Sequence, residues 1–118
     1  MSLNGRSLTH IPLLEGEEKV KYMNLHGNQI SKIENLVSLP NLHFLNLGAN
    51  KLTEINNFQI TLVHLKALIL SSNQISRIKN IQSFSNLEII DLSDNKIGGC
   101  LDLYESFDKL KNLKTILL

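Results

Sequence analysis

The residue types able to do chemistry are few in this 118-residue chain, and their spacing does not assemble them. There are four histidines, His10, His26, His43 and His64, and one cysteine, Cys100. A zinc site needs three or four ligands at short recurring spacings. His26 and His43 fall at different places in the pattern described below, and no cysteine or carboxylate pair joins them. A reactive thiol needs an electropositive, partly open setting. Cys100 instead occupies a place held elsewhere by Ile33, Ile55 and Ile78, which reads as a small core hydrophobe. Ser71, Ser72 and Ser93 have no base placed to activate them. Asp91 and Asp94 near Glu88 are too little for an acid–base pair, and Gly98-Gly99 lacks the surroundings of a phosphate loop. The expectation is a chain that is not an enzyme and uses no metal or cofactor.

The composition narrows the class of protein. Leucine counts 23 and isoleucine 13, nearly a third of the chain, and asparagine reaches 14, while aromatics number 6 with no tryptophan. So many aliphatics exclude a disordered tail, and a single cysteine excludes a disulfide framework. With 12 Lys/Arg against 11 Asp/Glu, the net charge of +1 offers no bulk attraction for nucleic acid or an anionic membrane. No apolar run approaches the ~18 residues of a membrane span. The opening residues lack the apolar stretch of a signal peptide, and no asparagine sits in a glycosylation sequon. A cytoplasmic setting is expected, with the nucleus as the alternative.

Leucine, isoleucine and asparagine recur together. Val20-x-x-Met23-x-Leu25-x-x-Asn28-x-Ile30 is followed by the same pattern from Leu42, Leu65 and Leu87, and a shortened copy opens at Leu113. The starts are separated by 22, 23, 22 and 26 residues. Upstream, Leu3, Leu8, Ile11 and Leu14 stand in phase, with Arg6 where asparagine is due. The expected organisation is one domain over residues 1–118. Residues 1–19 form a degenerate capping repeat, 20–41, 42–64, 65–86 and 87–112 full repeats, and 113–118 a truncated one. In L-x-L the apolar residues face one way and those between face the other. Such a strand is too short to build a core alone, so coils must stack. Asn28, Asn50, Asn73 and Asn95 then sit at the turn, where an amide can both donate and accept between coils.

This pattern resembles the leucine-rich repeat, L-x-x-L-x-L-x-x-N-x-L. Its 22-residue spacing is similar to the short class typified by the nuclear regulatory subunit of protein phosphatase 1. Relatives in that class include the spliceosomal A-prime protein, a dynein light chain, and centrosomal and ciliary proteins. The segments NLHGNQISKIENL and SSNQISRIKNI are similar to the opening repeats of the centrosomal leucine-rich-repeat and coiled-coil family. The resemblance implies an α/β solenoid with a short parallel concave sheet and a convex side of 3₁₀ turns or short helices. It also implies a non-enzymatic intracellular module that binds a protein, as part of a centrosomal or ciliary scaffold. The alternatives are a phosphatase regulatory subunit or a ribonucleoprotein adaptor. Neither direct nucleic-acid contact nor membrane contact is expected, and the oligomeric state stays open.

Within that frame the outward strand positions read as ladders. Tyr22, Phe44, Ala67, Ile89 and Thr115 form the first, Asn24, Asn46, Ile69, Asp91 and Leu117 the second, and His26, Gly48, Ser71 and Ser93 the third. The candidate partner-binding residues are Tyr22, Asn24, His26, Phe44, Asn46, Ala67, Ile69, Ile89 and Asp91. Exposed aromatics on a rigid sheet are typical interface anchors; the competing reading is a simple cross-strand pair. Repeat two carries one extra residue within NNFQITLVHL. Repeat four carries four extra in GGCLDLYESFDKLKNL, where Asp102 and Glu105 suggest a capped helix. That helix reads either as a tolerated length change or as a partner-binding protrusion. Ile116 and Leu118, on a strand without a polar cap, suggest a fragment continued by more repeats, the alternative being an end covered by a partner, and Met1 suggests a near-natural start.

Overall fold

The structure, a computed structural model, describes residues 1–55, 62–79, 81, 84–98, 105 and 107–118. Every L-x-L core becomes a three-residue strand. These are β1 (Tyr22–Asn24) and β2 (Phe44–Asn46), then β4 (Ala67–Ile69), β6 (Ile89–Asp91) and β7 (Thr115–Leu117). All pair in parallel in the order β1-β2-β4-β6-β7, so each strand lies beside the next one in sequence. Tyr22 pairs with Phe44, Phe44 with Ala67, Ala67 with Ile89 and Ile89 with Thr115. The four extra residues between β6 and β7 therefore leave the register intact. Upstream, Ser2 pairs in parallel with Asn24, and Leu3 N–H donates to Asn24 O at 2.8 Å.

The inward rows form the core. Met23, Leu45, Leu68 and Ile90 are fully buried, as are Leu25, Leu47 and Leu70 one step along. Burial fades at the last strand, where Ile116 is 40% and Leu118 67% exposed. The return path carries the expected short 3₁₀-type turns, and extended segments besides. Here β3 (Glu54–Ile55) and β5 (Arg77–Ile78) pair in parallel as a second, two-stranded ladder. Ile55 is buried beneath it, and β-branched residues suit a half-buried extended segment. Each coil then closes through successive i to i+3 turns. Leu39 N–H donates to Leu36 O and Leu42 N–H to Leu39 O; the same holds at Ile81–Phe84–Leu87 and Phe107–Leu110–Leu113. Such turns hold three residues each, so every third side chain points the same way. This is why apolar residues recur at that interval. Of the helix expected from Asp102, only Glu105, Phe107 and the residues from 108 onward are described; Glu105 and Phe107 are helical. The extra residue of repeat two, Cys100 and Asp102 itself lie outside the described residues.

The turn after each strand needs a left-handed residue. Gly5, Gly27, Ala49, Ser72 and Asp94 hold one repeat position and have φ of 61°, 71°, 53°, 55° and 54°. An L-residue there costs about 1–2 kcal/mol, while glycine is less constrained when unfolded. Ala49→Gly is therefore expected to stabilise the chain by roughly 0.5–1 kcal/mol, and Ala49→Val to destabilise it. Urea midpoints of the two variants check this; an Ala49→Gly midpoint below wild type would contradict it.

Candidate partner-binding face

The asparagine turns hold the face rigid. Asn50 Nδ2 donates to Leu25 O and Leu47 O at 3.0 Å and to Gly48 O at 3.1 Å, while its Oδ1 accepts from Ile30 N–H at 3.0 Å. Asn73 repeats this on Leu47 O, Leu70 O, Ser71 O and Leu52 N–H. Asn28 Oδ1 accepts from Arg6 and Leu8, and its Nδ2 donates to Leu3 O and Leu25 O. Asn28, Asn50 and Asn73 are buried. Asn95 makes the same kind of bonds, to Leu70 O, Leu92 O, Ser93 O and Ile75 N–H, but is only half-buried. The expectation of equal burial fails there because no described turn stacks over it.

On the concave side the first ladder is a continuous stripe. The Tyr22 and Phe44 rings lie 5.8 Å apart, tilted by 35°. They do pack as a cross-strand pair, yet Tyr22 stays 64% exposed. Ala67 is half-buried, Ile89 and Thr115 are exposed, and Ala67 leaves a dip between Phe44 and Ile89. In the second ladder Asn24, Asn46, Ile69 and Asp91 are half-buried and Leu117 is exposed. Asn24 Oδ1 accepts from His26 N–H and Asn46 Oδ1 from Gly48 N–H. Asp91 Oδ1 accepts from both Ser93 N–H and Ser93 Oγ. These three acceptors close local turns at the strand exits.

The third ladder converges on Gly48. A Cβ there would lie 2.9 Å from His26 Nδ1, 3.1 Å from Asn46 Oδ1 and 3.2 Å from Ser71 Oγ. Glycine thus admits three polar side chains over one point of backbone, and alanine would force one aside. His26 and Ser71 share no hydrogen bond, and among the described residues no three His, Cys, Asp or Glu could hold a metal ion. No helix among them is long and apolar enough to cross a membrane.

Two features escape a reading of the sequence alone. Asn41, Asn86 and Asn112, one residue before each strand's leading leucine, form a second asparagine row, half-buried at Asn41 and exposed at the other two. Their Nδ2 atoms donate to Glu18 O, Val63 O and Ser85 O of the preceding coil. The recurrent Asn-Leu dipeptide is the signal that could have found them. His64 holds this position in its own coil, and its ring stacks on that of His43, 5.8 Å away and inclined by 10°.

The family "Leucine Rich repeats (2 copies)" matches residues 18–59, "Leucine rich repeat" residues 40–97, and "Leucine Rich Repeat" residues 86–110. A comparison with curated proteins gave no match. Among solved structures, TLR13 in its complex with ssRNA13 is 35% identical with a TM-score of 0.74, over 81% of this chain and 14% of that one. A chain of the Drosophila melanogaster SNF/U2A′ complex is 27% identical with a TM-score of 0.76, over 98% of this chain and 67% of that one. An LRR protein of Leptospira interrogans shares the fold at 24% identity with a TM-score of 0.78, over 91% of this chain and 28% of that one. This chain thus spans a small part of the first and third. With repeat matches running through residues 18–110 and a backbone shared with these solenoids, the chain is a leucine-rich-repeat solenoid.

Proposed function

We propose that this solenoid is a non-enzymatic protein-interaction module that takes its partner on the concave sheet, with Tyr22 and Phe44 as anchors. The observation that carries this is Tyr22, 64% exposed on a strand whose backbone is fixed on both sides. A rigid, exposed aromatic loses little freedom on binding, and such anchors supply much of an interface's energy. In this proposal the module is intracellular and belongs to a larger centrosomal or ciliary scaffold, a reading supported by its NLHGNQISKIENL segment. A second reading, an adaptor in a ribonucleoprotein, is favoured by the SNF/U2A′ match, which extends over 98% of this chain.

The double variant Tyr22→Ala/Phe44→Ala is expected to weaken partner binding at least ~10-fold, equivalent to ~1.4 kcal/mol, with little change in melting temperature. Affinity purification with wild type, this variant and the convex variant Arg77→Ala, followed by mass spectrometry, checks it. Centriolar and ribonucleoprotein partners separate the two readings. Partners kept by the double variant and lost by Arg77→Ala would move the site to the convex side.

A further inference from the structure

Charge on the concave face narrows the chemistry of what binds there. The residues entering the strands form a row: Lys21, His43, Lys66, Glu88 and Lys114. Backbone bonds hold them in line, since His43 N–H donates to Lys21 O, Lys66 N–H to His43 O, Glu88 N–H to Lys66 O and Lys114 N–H to Glu88 O. Glu88 is answered by Lys114 at 3.5 Å. Lys21 and Lys66 are both exposed and have no ion pair among the described residues. They bracket His43, and at a strand spacing of ~4.8 Å their backbones stand roughly 10 Å apart. The next residue along each of these strands is Tyr22, Phe44 or Ala67, so the cationic row runs beside the aromatic pair over the same three strands. Negative charge lies at the other end of the face, on Glu88 and Asp91. Glu17 and Glu18 stand on the turn before β1, where Val20 N–H donates to Glu17 O, and neither pairs with Lys21.

We propose that the segment bound on this face is acidic: a protein stretch whose Asp or Glu residues lie against Lys21 and Lys66 while adjoining apolar side chains cover Tyr22 and Phe44. This rests on the concave-face reading above. An apolar cover over Tyr22 and Phe44 strips water from the neighbouring lysines, and only an opposite charge offsets that loss. A basic segment would be repelled and a neutral one would leave the charges unanswered. Single-stranded nucleic acid also combines negative charge with stacking. Two free lysines neutralise few phosphates, however, and Asp91 and Asp94 oppose a backbone that crosses all five strands.

The test is a selection of random displayed linear peptides on the 118-residue chain. The enriched peptides are then titrated by fluorescence anisotropy against wild type, Lys21→Glu/Lys66→Glu, Lys21→Gln/Lys66→Gln and Tyr22→Ala/Phe44→Ala, with a single-stranded RNA oligonucleotide as a further probe. Thermal melts confirm that each variant is folded. The expected result is enrichment of acidic peptides with aromatic or aliphatic residues, whose affinity falls with rising salt. Charge reversal should weaken them at least ~10-fold, or ~1.4 kcal/mol, and the glutamine pair should weaken them less. Enriched neutral or basic peptides that still need Tyr22 and Phe44 would overturn the acidic segment and leave the concave reading standing. Peptides indifferent to Tyr22→Ala/Phe44→Ala, or no enrichment at all, would overturn both. Tighter binding of the RNA than of any peptide would replace the acidic protein with nucleic acid.

Discussion

Leu47→Ala is expected to cost about 3–5 kcal/mol, in the upper part of the range for buried leucines. Leu47 is fully buried, as are its row neighbours Leu25 and Leu70. The price of truncation depends on how far the surroundings collapse into the gap. Here collapse is obstructed, because the neighbouring backbones are tied to β2 by bonds of 2.8 Å on each side, Leu25 N–H to Asn46 O and Leu47 N–H to Ile69 O. The cavity should therefore persist. Ile116→Ala, in the 40% exposed end of the adjoining row, should cost far less, since water already reaches that side chain. Guanidinium titrations of both variants measure the contrast. Equal losses would mean that the coils repack freely and that the sheet does not hold them apart.

Asn50→Ala should destabilise the chain by about 3 kcal/mol, the top of the range for a lost buried hydrogen-bond partner. The side chain serves Leu25 O, Leu47 O, Gly48 O and Ile30 N–H at once, and Leu25, Ile30 and Leu47 are inaccessible to solvent. Asn50→Asp should be no better although it is the same shape. A carboxylate still accepts from Ile30 but turns a second oxygen toward the Leu25 and Leu47 carbonyls. Asn95→Ala removes an equivalent set of bonds at a half-buried site, where water can take over some partners, so its loss should be smaller. Chemical denaturation of the three variants gives the order. Asn95→Ala costing as much as Asn50→Ala would show that burial is not what makes the asparagine turn expensive to lose.

What the sequence displays most openly is phase. Tyr22, Phe44, Ala67, Ile89 and Thr115 can be aligned from the leucine spacing alone, because a strand alternates strictly and an inward leucine dictates which neighbours point out. The task each outward residue performs is less visible. Asn24, Asn46 and Asp91 read as ligand-facing side chains, but each commits an oxygen to a backbone N–H two residues on, a local bond with no long-range pattern to advertise it. Asn41, Asn86 and Asn112 sit outside the repeat's apolar skeleton, and their partners are carbonyls 23 to 27 residues away that only stacking brings near. The β3–β5 ladder was likewise hidden, since two-residue strands such as Glu54–Ile55 carry no periodicity of their own.

The strand order β1-β2-β4-β6-β7 has a further consequence, for how the chain comes together and comes apart. Each strand of the sheet closes a loop of nearly constant size onto the strand before it. Loop-closure entropy grows only with the logarithm of length, so every added turn of the solenoid meets almost the same barrier. Assembly can start at any adjoining pair and spread toward either end like a zipper, with no pairing that waits on a distant segment. Under tension the reverse holds. Turns peel from an end one at a time, each freeing about 22 residues or roughly 75 Å of extended chain, so the molecule lengthens in steps while the remainder keeps its shape.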